Sequence, residues 1–236
     1  MRVALCLHGM QGKDSSQWAN GGDNLDPHLG WRQFKHHLID KNDNVDVFLH
    51  TRDPNFDERT IDLYQPKKYE VEPYFDFNLD KYCETSSKAT RYPLESAKEQ
   101  AQTCWSRWHS AYKSVALKAK YEKENNFKYD WVYLSRPDYL SFEDIIFSNY
   151  DNKYFYLPWC NFFRPDMYEE KSPDLWFFSD SEKMDKFSEI YLEMKKGADT
   201  VFSSPFKIVY DNVRAVGGSY IFHGQPYPGS IHITAR

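Results

Sequence analysis

Cysteine is scarce in this chain of 236 residues, and the four cysteines, Cys6, Cys83, Cys104 and Cys160, form no CxxC pair. A zinc knuckle and a disulfide framework are therefore not indicated, and reduced thiols with a structural role are the simpler expectation. Long apolar runs are also missing, because no stretch approaches the roughly 20 residues that a membrane helix needs. We therefore expect no membrane span.

Positive charge is not in excess either, since 30 Lys and Arg residues stand against 35 Asp and Glu residues, for a net charge of −5. The chain has no broad basic footprint, so nucleic acid is not an expected partner. The segment from Met1 to Gly9 holds one basic residue and an apolar stretch that is too short for the core of a signal peptide. It predicts a first β-strand in a soluble, cytoplasmic protein.

Two motifs that are common in α/β enzymes are incomplete or absent. The turn after the first strand, from His8 to Gly12, has glycines that let the backbone approach a ligand closely, but it lacks the full GxGxxG dinucleotide pattern. Its His8-Gly9 pair is similar to the oxyanion turn of α/β-hydrolases. No GxSxG nucleophile elbow occurs in the chain, so an α/β-hydrolase is the least favoured alternative.

Short apolar runs alternate with stretches of helical periodicity along the chain. The runs are Val3 to Leu7, Val45 to Leu49, Trp131 to Leu134, Tyr154 to Leu157, Leu175 to Phe178 and Tyr220 to Phe222. This alternation predicts an α/β fold with a mainly parallel, Rossmann-like sheet flanked by helices. With 41% hydrophobic residues, and with no repeat or linker, residues 1–236 are expected to form a single domain.

Three helices are predicted between those strands. Asp26-Pro27 combines a good cap with a proline at the first helical position, and it starts a helix that ends near residue 40. Apolar residues at steps of three and four predict one long helix from about Pro93 to Glu124. Ser181 is expected to cap a shorter third helix. Residues 53–92 have weak periodicity and predict a long, partly ordered excursion over the sheet.

Charged side chains follow the buried-type strand from Trp131 to Leu134. Pro137 ends this strand because it has no N–H to donate to a neighbouring strand. Arg136 and Asp138 therefore lie just past a carboxyl end, where open α/β sheets bind ligands. An arginine and a carboxylate at that place are typical of groups that handle phosphate.

The second predicted strand ends in Thr51, Arg52 and Asp53. Arg52 could meet a phosphate, and Asp53 could accept a hydrogen bond from a ribose or a base. A solvated strand end explains either residue alone about equally well. Two such strand ends beside each other make a nucleotide crevice the better interpretation. We predict that it is lined by His8, Gly9, Thr51, Arg52 and Asp53.

Several segments resemble those of viral and bacterial glycosyltransferases that use sugar nucleotides to make surface polysaccharides. They are the N-terminal strand and turn, DVFLHTRD, the long helix running into YEKENNFKYDWVYLSRPDYLSF, and PDLWFFSDSEKMDKF. The resemblance spans most of the chain. It implies a GT-A type fold, with the nucleotide over the N-terminal half and the acceptor at the C-terminal half. It also implies a nucleotide-sugar donor and a glycan acceptor as partners.

In GT-A enzymes the central strand ends in a DxD-like motif whose carboxylates hold a divalent cation against the donor diphosphate. Here the corresponding stretch is Arg136-Pro137-Asp138, so the first carboxylate is absent. Either Asp138 holds Mg²⁺ or Mn²⁺ with water and diphosphate oxygens, or Arg136 itself neutralises the leaving diphosphate. We favour the metal modestly. His223 resembles the C-terminal histidine that completes the metal site in some GT-A enzymes, although a lone histidine after a strand is more often structural.

An inverting enzyme also needs a carboxylate base that faces the acceptor. Asp174 is the candidate, because it directly precedes the strand from Leu175 to Phe178 and matches the family's DLWFF position. Asp166, Glu169 and Glu170 compete with it in the same loop. A retaining enzyme needs no such base. The incomplete metal motif also permits a nucleotide- or carbohydrate-binding module that has lost catalysis.

Overall fold

The computed structural model describes residues 1–10, 26–80, 83, 94–140, 143–158, 175–196, 220–223 and 233–234. The strands are β1 (Val3–His8), β2 (Val45–Thr51), β3 (Lys68–Val71), β4 (Trp131–Ser135), β5 (Tyr139–Leu140), β6 (Phe155–Pro158), β7 (Trp176–Ser179), β8 (Tyr220–His223) and β9 (Ile233–Thr234). The α-helices are α1 (Pro27–Phe34), α2 (Arg59–Tyr64), α3 (Leu94–Asn125), α4 (Ser181–Ser188) and α5 (Ile190–Lys195). A π-helical turn (Lys35–Ile39) continues α1, and a 3-10 turn spans Phe147–Asn149.

Seven of these strands form one mixed sheet in the order β3-β2-β1-β4-β7-β6-β8, and β5 pairs with β9 in a small antiparallel ribbon. Neighbours in the large sheet run parallel except at β7, which is antiparallel to both β4 and β6. The predicted α/β fold with a mainly parallel sheet is thus confirmed. Each predicted strand is present within two residues of its expected bounds.

Within the predicted excursion over residues 53–92, the described residues 53–80 have more regular structure than their weak periodicity indicates. They contain α2 and β3, which among the described strands pairs with β2 alone and so lies at an edge of the sheet. The side chains of Tyr69 and Val71 are exposed on one face of β3, whereas Lys68 and Glu70 are half-buried on the other. A strand this short and this polar carries almost no apolar pattern, so the sequence did not reveal it.

Alternating residues of the central strands point to opposite sides of the sheet and build two apolar layers. On one side, Cys6 and Phe48 belong to a cluster with Trp108 of α3. On the other side, Leu5 belongs to a cluster with Phe34 of α1. Helices cover both faces, which explains why the central strands are apolar almost without interruption.

Helix α3 runs antiparallel to the strands that it covers. Its C-terminal end lies beside the amino end of β3, where Lys68 Nζ is 2.8 Å from Glu124 Oε2. At the opposite end of the sheet, Arg52 donates from Nη1 to Ser106 Oγ at 3.4 Å. About three turns of α3 before Ser106 therefore project past the carboxyl edge of the sheet. Among the described helices, including this one, none is both long and apolar enough to cross a membrane.

The capping predictions hold for the first helix and shift by one residue for α4. Asp26 accepts a hydrogen bond from the His28 backbone N–H at 3.1 Å, and Pro27 is the first helical residue, as expected. At α4 the capping side chain is Asp180, which accepts from the Lys183 backbone N–H at 2.8 Å. The expected cap, Ser181, instead lies inside the first turn, where its hydroxyl is free for a buried contact.

Lys118 of α3 is a fully buried cation that joins this helix to α4. Its Nζ donates to Ser181 Oγ and to Asp185 Oδ1, both at 2.6 Å, and to Glu122 Oε2 at 3.2 Å. Ser181 Oγ in turn donates to Glu122 Oε1 at 2.7 Å. Burial alone would raise the pKa of Glu122, but hydrogen bonds from Ser181 and the Tyr129 backbone N–H, with the charge of Lys118 and a hydrogen bond from Lys128, together lower it.

Candidate functional site

The strand order changes direction between β1 and β4. β2 and β3 lie on one side of β1, and β4 lies on the other, with Leu7 paired to Ser135. An open α/β sheet forms a crevice beyond the carboxyl ends of two such strands, because the connections leave in opposite directions. His8 and Gly9 border this crevice from β1, and Arg136 borders it from β4. This edge is the candidate functional site.

Arg136 and Asp138 form a two-pronged ion pair just past the end of β4. Arg136 Nε donates to Asp138 Oδ1 at 2.8 Å, and Arg136 Nη2 donates to Asp138 Oδ2. The carboxylate is fully buried, whereas 26% of the Arg136 side chain is exposed. A guanidinium that donates two hydrogen bonds to one carboxylate loses most of its rotamer freedom. Asp138 therefore fixes the direction of Arg136. The edge therefore presents a guanidinium in a fixed position, paired with a buried carboxylate.

The same ion pair bears on the expected metal site. Both carboxylate oxygens of Asp138 accept hydrogen bonds from Arg136, so a cation at Asp138 would have to displace the guanidinium. The groups of three possible metal ligands found among the described residues do not include Asp138. As they are arranged, the described residues do not fit a divalent cation at Asp138.

Two predicted site residues, His223 and Asp174, are described in part or not at all. The backbone of His223 ends β8, where it pairs with Pro158, and β7 and β6 separate β8 from β4. The His223 side chain and all of Asp174 lie outside the described residues. The carbonyl of the next residue, Leu175, accepts a hydrogen bond from Ser135 Oγ at 3.4 Å. Because β7 is antiparallel to β4, its amino end lies at the carboxyl edge of β4.

His8 is a buried histidine whose pKa depends in part on the charge of Arg136. Burial lowers the pKa of His8 well below its usual value, and the positive charges of Arg107 and Arg136 lower it further. Its Nδ1 has no hydrogen-bond partner among the residues that the structure describes. Gly9 follows with φ of +89°, and a Cβ at Gly9 would meet no described atom within 4 Å. His8 is thus a buried imidazole, and the described residues leave room beside the Gly9 that follows it.

Thr51, Arg52 and Asp53 are buried and make hydrogen bonds within the protein. Thr51 Oγ1 accepts from the Asp53 backbone N–H at 3.0 Å, and Asp53 Oδ1 accepts from the Asn55 N–H at 2.9 Å. The Arg52 guanidinium carbon lies 3.6 Å from the centre of the Phe75 ring, and Arg52 donates to the Phe75 carbonyl. These contacts fix the loop after β2 next to the crevice.

Three residues that sequence reasoning missed reach this edge from outside the central strands: Glu72 after β3, and Arg107 and His109 on α3. His109 Nε2 donates to Glu72 Oε2 at 2.6 Å, and Lys113 Nζ lies 2.7 Å from Glu72 Oε1. Burial alone would raise the pKa of Glu72, but hydrogen bonds from Lys113 and His109 lower it to about 2. The sequence signal for two of them was that Arg107 and His109 flank Trp108, a member of the apolar stripe of the predicted long helix.

Gly30 of α1 packs directly against the backbone of Pro137. A Cβ at position 30 would lie 2.0 Å from the Pro137 carbonyl oxygen and 3.2 Å from the Tyr64 hydroxyl. We expect Gly30→Ala to lower the free energy of unfolding by roughly 2 kcal/mol or more, because a backbone atom must move to relieve the overlap. The same change in an open helix would stabilise by up to about 1 kcal/mol. Chemical denaturation followed by circular dichroism measures the change.

The exposed neighbour in the same helix, Leu29, provides the control. Leu29→Ala should leave stability within about 0.5 kcal/mol of the natural chain, since it lies away from the close contact. Equal stabilities for Gly30→Ala and the natural chain would contradict the packing of α1 under the Arg136–Asp138 pair.

Comparison with known proteins gives similarity in structure only. No protein-family model and no curated protein matches this chain. A glycosyltransferase involved in the glycosylation of the major capsid of PBCV-1 is 11% identical, with a TM-score of 0.40 over 94% of this chain and 82% of that chain. A nucleoside-diphosphate-sugar pyrophosphorylase from Vibrio cholerae RC9 is 12% identical, with a TM-score of 0.44 over 94% and 91%. Identities and TM-scores this low do not show the family to which the chain belongs.

Proposed function

We propose that this chain is a GT-A-type glycosyltransferase that moves a sugar from a nucleotide-sugar donor onto a glycan acceptor. The observation that carries the proposal is the guanidinium of Arg136, held by the buried carboxylate of Asp138 at the point where the strand order changes direction. Asp138 accepts from the Nε–Nη2 edge and holds the guanidinium in place, and a positioned guanidinium suits the oxygens of a diphosphate. Ligands of open α/β sheets bind in the crevice at such a point.

In this proposal Arg136 stabilises the leaving diphosphate. Transfer breaks the bond between the sugar and the diphosphate oxygen, so negative charge grows on the leaving group while positive charge grows on the sugar ring. A positive group that is already aimed at that oxygen stabilises the transition state without reorganisation. Arg107 adds charge of the same sign, since both arginines act on His8. Asp138 is a positioning residue, because it acts through Arg136.

His8 and Gly9 line the nucleotide in this proposal. A neutral His8 offers one donor and one acceptor to a base or a ribose, and the room that the described residues leave beside Gly9 lets a ligand approach the backbone. Thr51, Arg52 and Asp53 form the wall on the β2 side, where their internal hydrogen bonds keep the loop in place. Preformed walls of this kind reduce the ordering cost of binding.

Asp174 is the proposed base for the acceptor hydroxyl in an inverting reaction. It is adjacent in sequence to Leu175, whose carbonyl contacts Ser135 at the end of β4. The acceptor hydroxyl loses its proton to a carboxylate as its oxygen bonds to the sugar. In a retaining reaction this role does not exist. The competing arrangement for the diphosphate is Mn²⁺ or Mg²⁺ held by Asp138 and His223, which requires Asp138 to exchange Arg136 for the metal.

A thermal-shift screen with UDP-, GDP-, CMP- and dTDP-sugars tests the donor class and the cation together. A ligand present at 100 times its Kd stabilises the folded protein by about 2.7 kcal/mol, so one nucleotide class should raise the unfolding temperature. We expect the shift to persist in EDTA if Arg136 meets the diphosphate, and to require Mn²⁺ if Asp138 holds a cation. The purified chain should then release the nucleotide slowly from that donor without an acceptor.

The other outcomes separate the competing functions. Binding without any breakdown of the donor, even with glycan acceptors present, would indicate a nucleotide- or carbohydrate-binding module. No shift with any sugar nucleotide would reject the nucleotide site altogether. Stoichiometric labelling by a serine-reactive phosphonate would favour the α/β-hydrolase instead.

A further inference from the structure

A second group of ligating side chains meets beside the crevice, at the end of β2. His50, Glu72 and His109 each offer one ligand atom, and these atoms lie within 4.8 Å of one another. His50 Nε2 is 3.4 Å from Glu72 Oε2, and His109 Nε2 is 2.6 Å from the same oxygen. The three residues belong to β2, to the segment after β3 and to α3. Tertiary packing, not one local turn, brings them together.

The spacing of these atoms suits a small cation. Two ligands of a tetrahedral zinc ion, each bound at about 2.0–2.1 Å, stand roughly 3.3 Å apart. The distance of 3.4 Å between His50 Nε2 and Glu72 Oε2 is close to this value. The 2.6 Å hydrogen bond between His109 and Glu72 would have to open by less than about 1 Å. Side-chain rotation alone can supply a movement of that size.

His50 gives an independent reason to expect a ligand. Its side chain is 0% exposed, and neither of its ring nitrogens has a hydrogen-bond partner in the described part of the chain. A buried polar group without a partner costs roughly 1–3 kcal/mol, so such groups are rare in folded proteins. An ion between His50 Nε2 and Glu72 Oε2 would supply a partner for Nε2.

The surroundings hold the carboxylate of this cluster in place. Lys113 Nζ lies 2.7 Å from Glu72 Oε1, the carboxylate oxygen that faces away from the two histidines, and it orients the carboxylate. Partners of this outer kind are usual around metal ligands.

We propose that His50, Glu72 and His109 bind one divalent transition-metal ion of the zinc type. Two imidazoles and one carboxylate suit Zn²⁺ and related ions, whereas Mg²⁺ and Ca²⁺ prefer oxygen ligands throughout. Three protein ligands leave the fourth position for water or a small ligand. His50 is the register partner of His8, so the ion lies beside the proposed nucleotide wall. The inference stands whether or not the chain transfers a sugar.

Zinc binding by the full chain, after removal of metals with a chelator, tests this proposal. Titration calorimetry with Zn²⁺ should give one site, and Co²⁺ in its place should give the visible absorption of a four- or five-coordinate cobalt ion. Glu72→Gln and His109→Gln should each weaken Zn²⁺ binding more than about 100-fold, because loss of even an outer partner costs roughly 10- to 100-fold. Circular dichroism of each variant shows whether it is folded.

His37→Gln is the matched control, since the other group of three possible ligands in the described residues is His36, His37 and Asp144, which lies mostly at the surface. It should leave the affinity unchanged. Lys113→Met removes the partner that orients Glu72 and should weaken Zn²⁺ binding about 10- to 100-fold, less than the loss of a ligand does. Absence of binding, full affinity in Glu72→Gln, or loss of binding in His37→Gln alone would overturn the proposal.

Discussion

Arg136→Met is expected to lower turnover of the nucleotide-sugar donor about 100-fold or more. Removal of one positioned donor from a transition-state anion costs about 10²- to 10³-fold in kcat, and Arg136 is the charged group that the structure fixes at the crevice edge. Arg136→Lys keeps the charge but loses the two-pronged contact with Asp138. Its turnover should fall between that of Arg136→Met and that of the natural chain. Steady-state release of the nucleotide, measured with the donor found in the thermal-shift screen, checks the order.

The same substitution leaves Asp138 as a buried carboxylate without its partner. Removing one member of a buried pair costs up to about 3–5 kcal/mol, and the 26% exposure of Arg136 reduces that cost. The double variant Arg136→Met with Asp138→Asn removes the buried charge, so it should regain stability without regaining turnover. Full turnover in the double variant, or in Arg136→Met alone, would show that Arg136 has another role.

Lys118→Met is expected to lower the free energy of unfolding by about 3–5 kcal/mol. The change removes a fully buried ammonium that bonds to Ser181, Asp185 and Glu122, and so leaves the buried Glu122 carboxylate with fewer partners. The loss of one partner from such a network costs far more than the loss of an exposed ion pair. Denaturant unfolding, monitored by tryptophan fluorescence and by circular dichroism, gives the free energy.

Lys120 is the matched control, because it lies on the same helix and is exposed. Lys120→Met should change stability by less than about 0.5 kcal/mol. If the two variants unfolded at the same denaturant concentration, the network would contribute nothing that an ordinary surface lysine does not. A Lys118→Met chain too unstable to purify can be replaced by Ser181→Ala, which removes one donor and one acceptor and should cost about 1–3 kcal/mol.

The apolar runs predicted where the strands lie, but such a run does not say whether a strand is parallel or antiparallel to its neighbours. Trp176–Ser179 runs antiparallel to its neighbours, although its apolar pattern is the same as that of the parallel strand Trp131–Ser135. Direction depends on where the connecting chain re-enters the sheet, which is a tertiary property. The short edge strand Lys68–Val71 was missed because it is half exposed and polar.

The candidate site was predictable as far as it depends on strand ends. His8, Gly9 and Arg136 lie at one edge because parallel strands carry their carboxyl ends to the same side. The saturation of Asp138 by Arg136 was not predictable, since it depends on side-chain rotamers on either side of Pro137. The position of His109 also depends on where α3 packs along the sheet, and no local sequence pattern determines that position.

The length of α3 has a mechanical consequence. The helix has 32 residues, which corresponds to about 48 Å at 1.5 Å per residue. It is held at several points along that length: Lys118 joins it to α4, His109 Nε2 lies 2.6 Å from Glu72 Oε2, and Gln102 donates to the Phe77 carbonyl at 2.6 Å. Gln102 and Lys118 stand about 24 Å apart along the axis. The helix is thus a brace that fixes the segment around Phe77 relative to α4 across the whole depth of the sheet.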